Sequence, residues 1–384
     1  MVDLDRIIED TAPKANSLGA TPEIRQALDD IGIDADEVGR IKQIWLKTRT
    51  DEDGTHHAAG YSLFLAPSWE TGPEWPVVQP AKPVVVRVPK AKATKVVDGW
   101  QTAVVHPDPQ FGFRRLNDGT LDPFHDERAL SIAVQITERV RPDVSILLGD
   151  TLDLAEFGRF RLDPGMAGMT QATIDRAHGY ISTVAEMSGR TLLFQGNHDL
   201  RLQNYILDNA AAAFGIKRAN VPDDWPAMSV RSLLRLDELG VEYMDGYPAN
   251  RHYLTPRLRI SHGSRVKSGG STAAMLVKDS AESDIFGHVH VTQYHERTIE
   301  EAGADGRPTH RRIFGYSPGC LCRIDGATPG TNSGIDEHGR PVVSWQNWQQ
   351  GVGVLHYHAT EDPWVEHVAI SDGVAWFRGE RFEA

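Results

Sequence analysis

Cysteine is scarce in this sequence: Cys320 and Cys322 are the only two among 384 residues. One residue separates them, and side chains at that spacing along a strand are poorly oriented for a disulfide. We predict two small buried residues in a strand, with a metal or redox role as the alternative. The low cysteine content also fits a reducing compartment.

Long apolar runs are absent as well. No stretch approaches the roughly 18 to 20 apolar residues that a membrane-spanning helix needs. The first residues, MVDLDRIIEDTAPK, lack the basic segment and the apolar stretch of a signal peptide. These absences predict a cytoplasmic protein with no membrane partner.

Positive charge is in short supply. Lysine and arginine number 40 against 53 aspartates and glutamates, so the formal net charge is -13. That balance disfavours a broad basic surface for duplex DNA, and any nucleic-acid contact should therefore be local. Hydrophobic residues at 40% and charged residues at 24% are ordinary values for a globular protein.

The N-terminal part, residues 1–65, is predicted to be a mainly helical module. Thr21-Pro22-Glu23 is a helix start signal, and a second helix is expected to open at Asp34 and to carry Val38, Ile41, Ile44 and Trp45 on one face. A cluster of basic residues near this second helix suggests a face for nucleic acid or a protein partner; the alternative is an ordinary solvated face. The cluster comprises Arg40, Lys42, Lys47 and Arg49.

Residues 66–98 are rich in proline and lysine and are predicted to be a linker, because proline disfavours continuous helix and central strand. In residues 99–340 short apolar strands alternate with helical patterns, which is typical of an α/β domain. The pattern predicts strands over 102–106, 144–148 and 191–194 and helices over 127–140 and 171–188. Residues 341–384 are predicted to be a β segment that completes or caps that domain.

Five short polar segments each follow an apolar run in the predicted α/β domain. We therefore expect them at the C-terminal ends of strands, where α/β proteins place their ligand sites. They are His106-Pro-Asp108-Pro-Gln110, Gly149-Asp150-Thr-Leu-Asp153, Gly196-Asn197-His198-Asp199, Ser261-His262-Gly263 and Gly287-His288-Val-His290.

The residue types in these segments indicate a transition-metal site. Carboxylate, imidazole and amide groups together suit Mn, Fe or Zn, whereas Mg and Ca prefer shells of oxygen alone. A carboxylate such as Asp150 can bridge two cations, and two cations about 3.5–4 Å apart can hold a bridging hydroxide for attack on phosphorus. The neighbouring glycines let the backbone turn sharply and approach the metals.

These segments resemble the ordered motifs of the calcineurin-like metallophosphoesterase superfamily: D-x-H, G-D-x-x-D, G-N-H-[DE], H-G and G-H-x-H. The resemblance covers about residues 103–319. It implies a four-layer α/β/β/α sandwich of two mixed sheets that binds two divalent metal ions. Mn²⁺ is the preferred ion, and Fe, Zn, Ni and Co are the alternatives. It also implies phosphoester hydrolysis.

By position, the resemblance assigns Asp108, Asp150 and His290 to the first metal, with Asp150 bridging. Asn197, His262 and His288 would complete the second. His198 matches the family's catalytic histidine, which contacts the phosphate and assists the leaving oxygen without binding metal. Asp153 and Asp199 match positions that orient neighbouring groups.

One position departs from the family pattern. Gln110 stands where the family has histidine, and its neutral amide oxygen is a weaker donor than imidazole. The first metal is therefore expected to bind less tightly or to exchange more readily. His106 is an alternative ligand if its strand continues; otherwise it is a histidine hydrogen-bonded beneath the site.

The substrate remains open between several classes. The motifs resemble the DNA-repair exonuclease-like branch, including phage-encoded members, which implies a phosphodiesterase or nuclease acting on DNA or RNA. A nucleic acid would then contact Arg265 and Lys267 and stack on the tryptophans of the tract Trp345–Trp348. An ordinary solvated surface explains the two basic residues equally, and core packing explains the tryptophans equally. A phosphomonoesterase or cyclic-nucleotide phosphodiesterase is the alternative, and a non-catalytic binding protein on a decayed scaffold is the third.

Overall fold

The computed structural model of this chain describes residues 38–50, 53, 56–67, 99–158, 163–221, 224–267, 270–303, 305–329 and 346–384. The chain divides into two compact units, Met1–Val85 and Val86–Ala384. Within the described residues, no helix is both long enough and apolar enough to cross a membrane.

The first unit contains a β-hairpin. Strands β1 (Val38–Thr50) and β2 (His56–Pro67) pair antiparallel, with irregularities in the register. The predicted second helix over Val38 to Trp45 is therefore wrong, and β2 also extends two residues into the predicted linker. The apolar residues of β1 fit a helical period, but pairing with the strand that follows outweighs that pattern. The predicted helix at Thr21 and the rest of the linker lie outside the described residues.

The second unit is built on an eight-stranded sheet of mixed direction. Its strand order is β17-β16-β15-β14-β3-β6-β7-β8, in which β3, β6, β7 and β8 run parallel. The strands are β3 (Gln101–His106), β6 (Val144–Leu147), β7 (Arg190–Phe194), β8 (Val241–Met244), β14 (Gln350–Tyr357), β15 (Trp364–Ser371), β16 (Val374–Phe377) and β17 (Glu380–Glu383). The C-terminal segment completes this sheet, as predicted, because β14 pairs with β3.

A second sheet of five strands has the order β12-β13-β11-β10-β9. Its members are β9 (Arg251–Thr255), β10 (Leu258–Ser261), β11 (Ser283–Phe286), β12 (Thr292–Ala302) and β13 (Pro308–Pro318). Strands β10 and β11 are parallel neighbours, so their C-terminal ends lie at one edge. A small hairpin of β4 (Phe113–Arg115) and β5 (Leu121–Pro123) stands apart from both sheets.

Five α-helices accompany the sheets in the described residues: α1 (Glu127–Val140), α2 (Thr170–Glu186), α3 (Arg201–Asn209), α4 (Val230–Leu233) and α5 (Thr272–Lys278). Helix α1 has the bounds predicted from sequence. It begins there because the Asp126 carboxylate accepts hydrogen bonds from the first-turn amides of Arg128 and Ala129. The strands and the two long helices confirm an α/β fold.

Alternating residues of the central strands face two different cores. In β3, Ala103 and Val105 pack with Ile260, Ile285 and other residues of the second sheet. Val104, which lies between these two residues in sequence, packs with residues of α1 and α2 on the opposite face. This separation follows from the two-residue period of a strand. Both faces of β3 are therefore buried, which fixes the position of the loop that follows it.

Candidate metal centre

The five predicted segments each follow the end of a strand. Asp108, Asp150 and Asn197 come after the adjacent parallel strands β3, β6 and β7 of the large sheet, while His262 and His288 come after β10 and β11 of the small sheet. Parallel neighbours bring their carboxyl ends to one edge, so each sheet contributes a set of loops. The side chains of these loops meet in a single cluster.

Two groups of side chains in this cluster, all buried except the half-buried His288, can each hold a metal ion. One ligand atom from each of Asp108, Asp150 and His290 lies within 4.8 Å of the others, and the same holds for Asp150, His262 and His288. Asp150 belongs to both groups. This is the grouping that the sequence motifs predict, including the shared carboxylate.

The first group also brings in Gln110. His290 Nε2 lies 3.3 Å from Asp108 Oδ1 and 3.4 Å from the Gln110 amide nitrogen. Gln110 is 2% exposed, and its Oε1 is buried without a hydrogen-bond partner among the described residues. A buried acceptor without a donor is costly, which a bound cation would offset. Gln110 therefore fits a role as a weak ligand.

Asn197 lies beside the second group, in contact with His262. His262 Nε2 lies 3.4 Å from Asp150 Oδ2 and 3.3 Å from Asn197 Oδ1. On the other side of the ring, Nδ1 lies 2.9 Å from the main-chain oxygen of Leu148, which can only accept a hydrogen bond. That contact places a proton on Nδ1 and directs Nε2 towards the carboxylate, as is usual for a histidine that binds metal.

The charges in the cluster shift one another's pKa. Burial alone would raise the pKa of Asp150, but His262 and His198 hold it below its ordinary value. Burial alone would lower the pKa of His262, and Asp150 instead raises it to about 9. For His290 the effect of burial is likewise outweighed, by Cys322 and Asp108, which raise the pKa to about 10. In the metal-free protein these imidazoles carry protons that offset the carboxylates.

The backbone of the cluster is strained. Asp108, Gln110, Asp150, His288 and His290 all have positive φ angles, between 39° and 69°. This conformation is uncommon for residues other than glycine, and costs on the order of 1 kcal/mol or more at each position. Such strain persists where the surrounding structure imposes it, and it gathers at functional sites.

Glycines next to the ligands are required by space. A Cβ at Gly196 would lie 2.2 Å from Asp150 Oδ1, and one at Gly287 would lie 2.5 Å from Asp108 Oδ2. Any other residue at these positions would displace a carboxylate of the cluster. The backbone therefore approaches both carboxylates closely at these two glycines.

His198 lies beside the two groups and belongs to neither. Its Nε2 is 3.9 Å from Asp150 Oδ2, and its Nδ1 is 3.4 Å from Asp153 Oδ2. Its main-chain amide donates to Asp150 Oδ1 at 2.8 Å, which ties the position of the ring to that carboxylate. This placement fits the predicted role of a histidine that acts on the substrate without binding metal.

Arg201 is a site residue that the sequence reasoning missed. Its Nη1 donates to the main-chain oxygen of Asp153 at 2.8 Å and lies 3.2 Å from Asp153 Oδ1, while its Nη2 lies 3.1 Å from His198 Nε2. An arginine in the first turn of a helix opposes the helix dipole, and that was the available signal. The guanidinium holds both Asp153 and His198.

Asp199 supports the cluster from beneath. Its carboxylate accepts hydrogen bonds from the amides of Gly196 and Leu152, both at 2.9 Å, and thereby joins the loops that follow β7 and β6. Burial, with a further contribution from Asp150, raises its pKa to about 6. The predicted orienting role fits these contacts.

His106 is hydrogen-bonded away from the cluster. Its Nδ1 lies 2.8 Å from the Tyr180 hydroxyl and its Nε2 lies 3.3 Å from the Thr137 hydroxyl, on the helical side of the sheet. Burial lowers its pKa to about 3, so the ring is neutral. Of the two alternatives left by the sequence, the structural histidine is the one observed.

Two aromatic rings pack against histidines of the cluster. The Trp348 ring packs edge-on against His290 with centroids 4.3 Å apart, and the Tyr247 ring meets His262 at 5.7 Å. Trp348 therefore contacts a predicted metal ligand, whereas Trp345 lies outside the described residues. Arg265 and Lys267 are exposed just after His262.

No protein-family model matches this chain, and no curated protein sequence does.

Proposed function

We propose that this chain is a metal-dependent phosphoester hydrolase of the calcineurin-like metallophosphoesterase type, acting as a phosphodiesterase or nuclease at a dinuclear centre. The observation that carries the proposal is the shared position of Asp150 in the two buried groups. A carboxylate with two oxygens can join two cations at the separation that phosphoester chemistry uses.

The arrangement of the elements supports the corresponding four-layer fold. Residues of both sheets bury one common core, residues of α1 and α2 pack against the other face of the large sheet, and Ala273 of α5 packs with Phe286 of the small sheet. We infer an α/β/β/α sandwich in which the strand ends of both sheets present the metal ligands.

The donor set favours Mn²⁺ or another first-row transition ion over Mg²⁺. Asp108, Asp150, Gln110 and His290 would hold the first ion, and Asp150, Asn197, His262 and His288 the second. Imidazole nitrogen is present in both sets, and all-oxygen shells are what Mg²⁺ and Ca²⁺ prefer. The two cations would supply Lewis-acid activation of the phosphoryl group and of the attacking water.

The remaining site residues would act on the substrate and on one another. His198 would hold a proton at the leaving oxygen of the substrate, because its Nε2 faces the carboxylates of the cluster. Asp153 would position the ring through its contact with Nδ1, and Arg201 would position Asp153. Arg201 Nη2 also supplies a positive charge beside the site for a phosphoryl oxygen.

Two observations bear on substrate size and point in opposite directions. Arg265 and Lys267 are exposed on the loop that follows His262, which favours a substrate with phosphates on both sides of the scissile bond. The net charge of -13 favours a small substrate, such as a phosphomonoester or a cyclic nucleotide, over a long polyanion. We propose the diester because the exposed basic pair lies on the loop that carries the ligand His262.

The test is hydrolysis of bis-p-nitrophenyl phosphate beside p-nitrophenyl phosphate by chelator-stripped protein, with and without added Mn²⁺. The expected result is Mn²⁺-dependent cleavage that is faster on the diester. Faster cleavage of the monoester would replace the diesterase assignment with a small-substrate phosphatase. No cleavage of either compound with any divalent ion would support a binding protein on a decayed scaffold.

A further inference from the structure

Two thiols lie on the far side of His290 from the carboxylates. Cys320 and Cys322 are free, and both are fully buried. The prediction of a strand at these residues is wrong. Each residue makes an isolated bridge instead, Cys320 with Gln350 and Cys322 with His125. These bridges hold both residues of the short segment against structured parts of the fold, so the thiols have fixed positions.

The thiols and His290 are close enough to share one ion. The Sγ atom of Cys322 lies 3.9 Å from Nδ1 of His290, and one ligand atom from each of His290, Cys320 and Cys322 lies within 4.8 Å of the others. Two ligands of a tetrahedral zinc ion, one sulfur and one nitrogen, are about 3.6 Å apart. The observed separation is near that value.

This group is chemically different from the dinuclear cluster. His290 turns Nε2 towards Asp108 and Nδ1 towards Cys322, so opposite atoms of one ring serve the two sides. Two sulfurs and one imidazole favour soft ions such as Zn²⁺ and Cd²⁺, whereas the carboxylate side favours Mn²⁺. Two thiolates would also neutralise a divalent ion, which removes the main cost of burying its charge.

We propose that His290, Cys320 and Cys322 form a separate site for a thiophilic divalent ion, Zn²⁺ or Cd²⁺, which shares His290 with the dinuclear centre. The main-chain oxygen of Gln349 lies 3.6 Å from Cys320 Sγ and provides a further oxygen beside the site. The Trp348 ring packs edge-on against His290, the residue that the two sites share.

The binding test uses chelator-stripped full-length protein and Cd²⁺, and follows the ultraviolet charge-transfer band of cadmium thiolates. The chain has no thiols besides Cys320 and Cys322, so any such band reports this site. The expected result is a band that saturates at one Cd²⁺ per chain and that Zn²⁺ abolishes. Folded wild-type protein that binds Cd²⁺ without the band would overturn the proposal, with the thiols then serving only as a hydrogen-bonding neighbour of His290.

Three variants separate the site from the cluster next to it. Cys322→Ser should lose the band, and His290→Ala should weaken Cd²⁺ binding measured by the band. His262→Ala is the matched control, since it removes an imidazole of the dinuclear cluster and should leave the band unchanged. A band that survives unaltered in His290→Ala would show that the histidine is no part of the site. None of these readings depends on phosphoester hydrolysis, so the site and the proposed function can fail independently.

A consequence for regulation rests on the proposed function. An ion held by both thiols and Nδ1 draws electron density from the His290 ring and so weakens Nε2 as a ligand of the first catalytic metal. Zn²⁺ added to Mn²⁺-loaded protein should therefore inhibit diester hydrolysis, and Cys320→Ser should relieve that inhibition. Equal inhibition of the wild type and the variant would show that Zn²⁺ acts elsewhere.

Discussion

Arg201 Nη2 lies 3.1 Å from His198 Nε2, and the same guanidinium holds the side chain and main chain of Asp153. Nδ1 on the other side of the His198 ring lies 3.4 Å from Asp153 Oδ2. The ring is thus fixed from both sides before a substrate arrives. Several expectations about catalysis and stability rest on this relationship and on the metal cluster beside it.

Removing the His198 ring should slow turnover strongly while sparing the metals. His198→Ala is expected to lower kcat by about 10²–10⁴-fold, the range for loss of a general acid. Its metal content, measured by elemental analysis after dialysis, should equal that of the wild type, because neither buried metal group includes His198. Loss of one metal equivalent would instead make His198 a ligand.

Removing the Arg201 side chain should destabilise the fold. Asp153 is fully buried and Arg201 is 18% exposed, so Arg201→Ala leaves a buried carboxylate without its cation. The free energy of unfolding of the metal-free protein, from urea titration, is expected to fall by about 3 kcal/mol. Arg218→Ala, which removes an exposed partner of Asp224, is the control and should have little effect. Comparable losses in the two variants would contradict the buried-pair argument.

Arg201 should also act in catalysis beyond its effect on folding. At a temperature where each variant is folded, Arg201→Lys is expected to keep KM near that of Arg201→Ala but to recover part of kcat, since the cation beside His198 returns without the forked geometry. A kcat for Arg201→Lys no higher than for Arg201→Ala would confine the residue to a structural role.

Restoring imidazole at position 110 should tighten the first metal. Gln110→His replaces a neutral amide oxygen, now without a partner, by a stronger donor. The Mn²⁺ dissociation constant from calorimetric titration should fall by about tenfold, and Gln110→Ala should raise it. An unchanged constant in both variants would show that position 110 does not contact the ion.

Metal affinity should rise with pH through the neutral range. The pKa of His262 is raised to about 9 and that of His290 to about 10 in the metal-free protein, so below these values each ring must release a proton to bind an ion. The Mn²⁺ dissociation constant should therefore fall as pH increases from 6 to about 10 and then level off. Calorimetry in buffers of different ionisation enthalpy counts the released protons; none released at pH 7 would contradict the argument.

The exposed residues Arg265 and Lys267 should contribute to the binding of a polymeric substrate and contribute little to the hydrolysis of a small ester. If the substrate is a nucleic acid, the double variant Arg265→Ala with Lys267→Ala should weaken binding of single-stranded DNA. It should also reduce the slope of log affinity against log salt by about one for each lost phosphate contact. Hydrolysis of bis-p-nitrophenyl phosphate serves as the internal control and should be unchanged. An unaltered salt slope would favour the small-substrate alternative.

The sequence by itself determined which residues form the cluster. The motif segments follow apolar runs, which predicts that they lie at strand ends, and their order resembles that of a known family, which implied the individual ligands. Helix α1 was also predictable, because its cap at Asp126 and its apolar period are both local. Such local signals predict a helix without information about the elements that it packs against.

Pairing between separate segments decided the features that the pattern within one segment does not specify. The hairpin of β1 and β2 replaced a predicted helix because the two strands stabilise each other, and neither segment alone specifies that outcome. The contacts of Arg201 with Asp153, and of Cys322 with His290, join loops far apart in sequence. The shared position of Asp150 likewise follows from two sheets whose strand ends converge. The sequence names the ligands, but strand order and sheet packing set the distances between them.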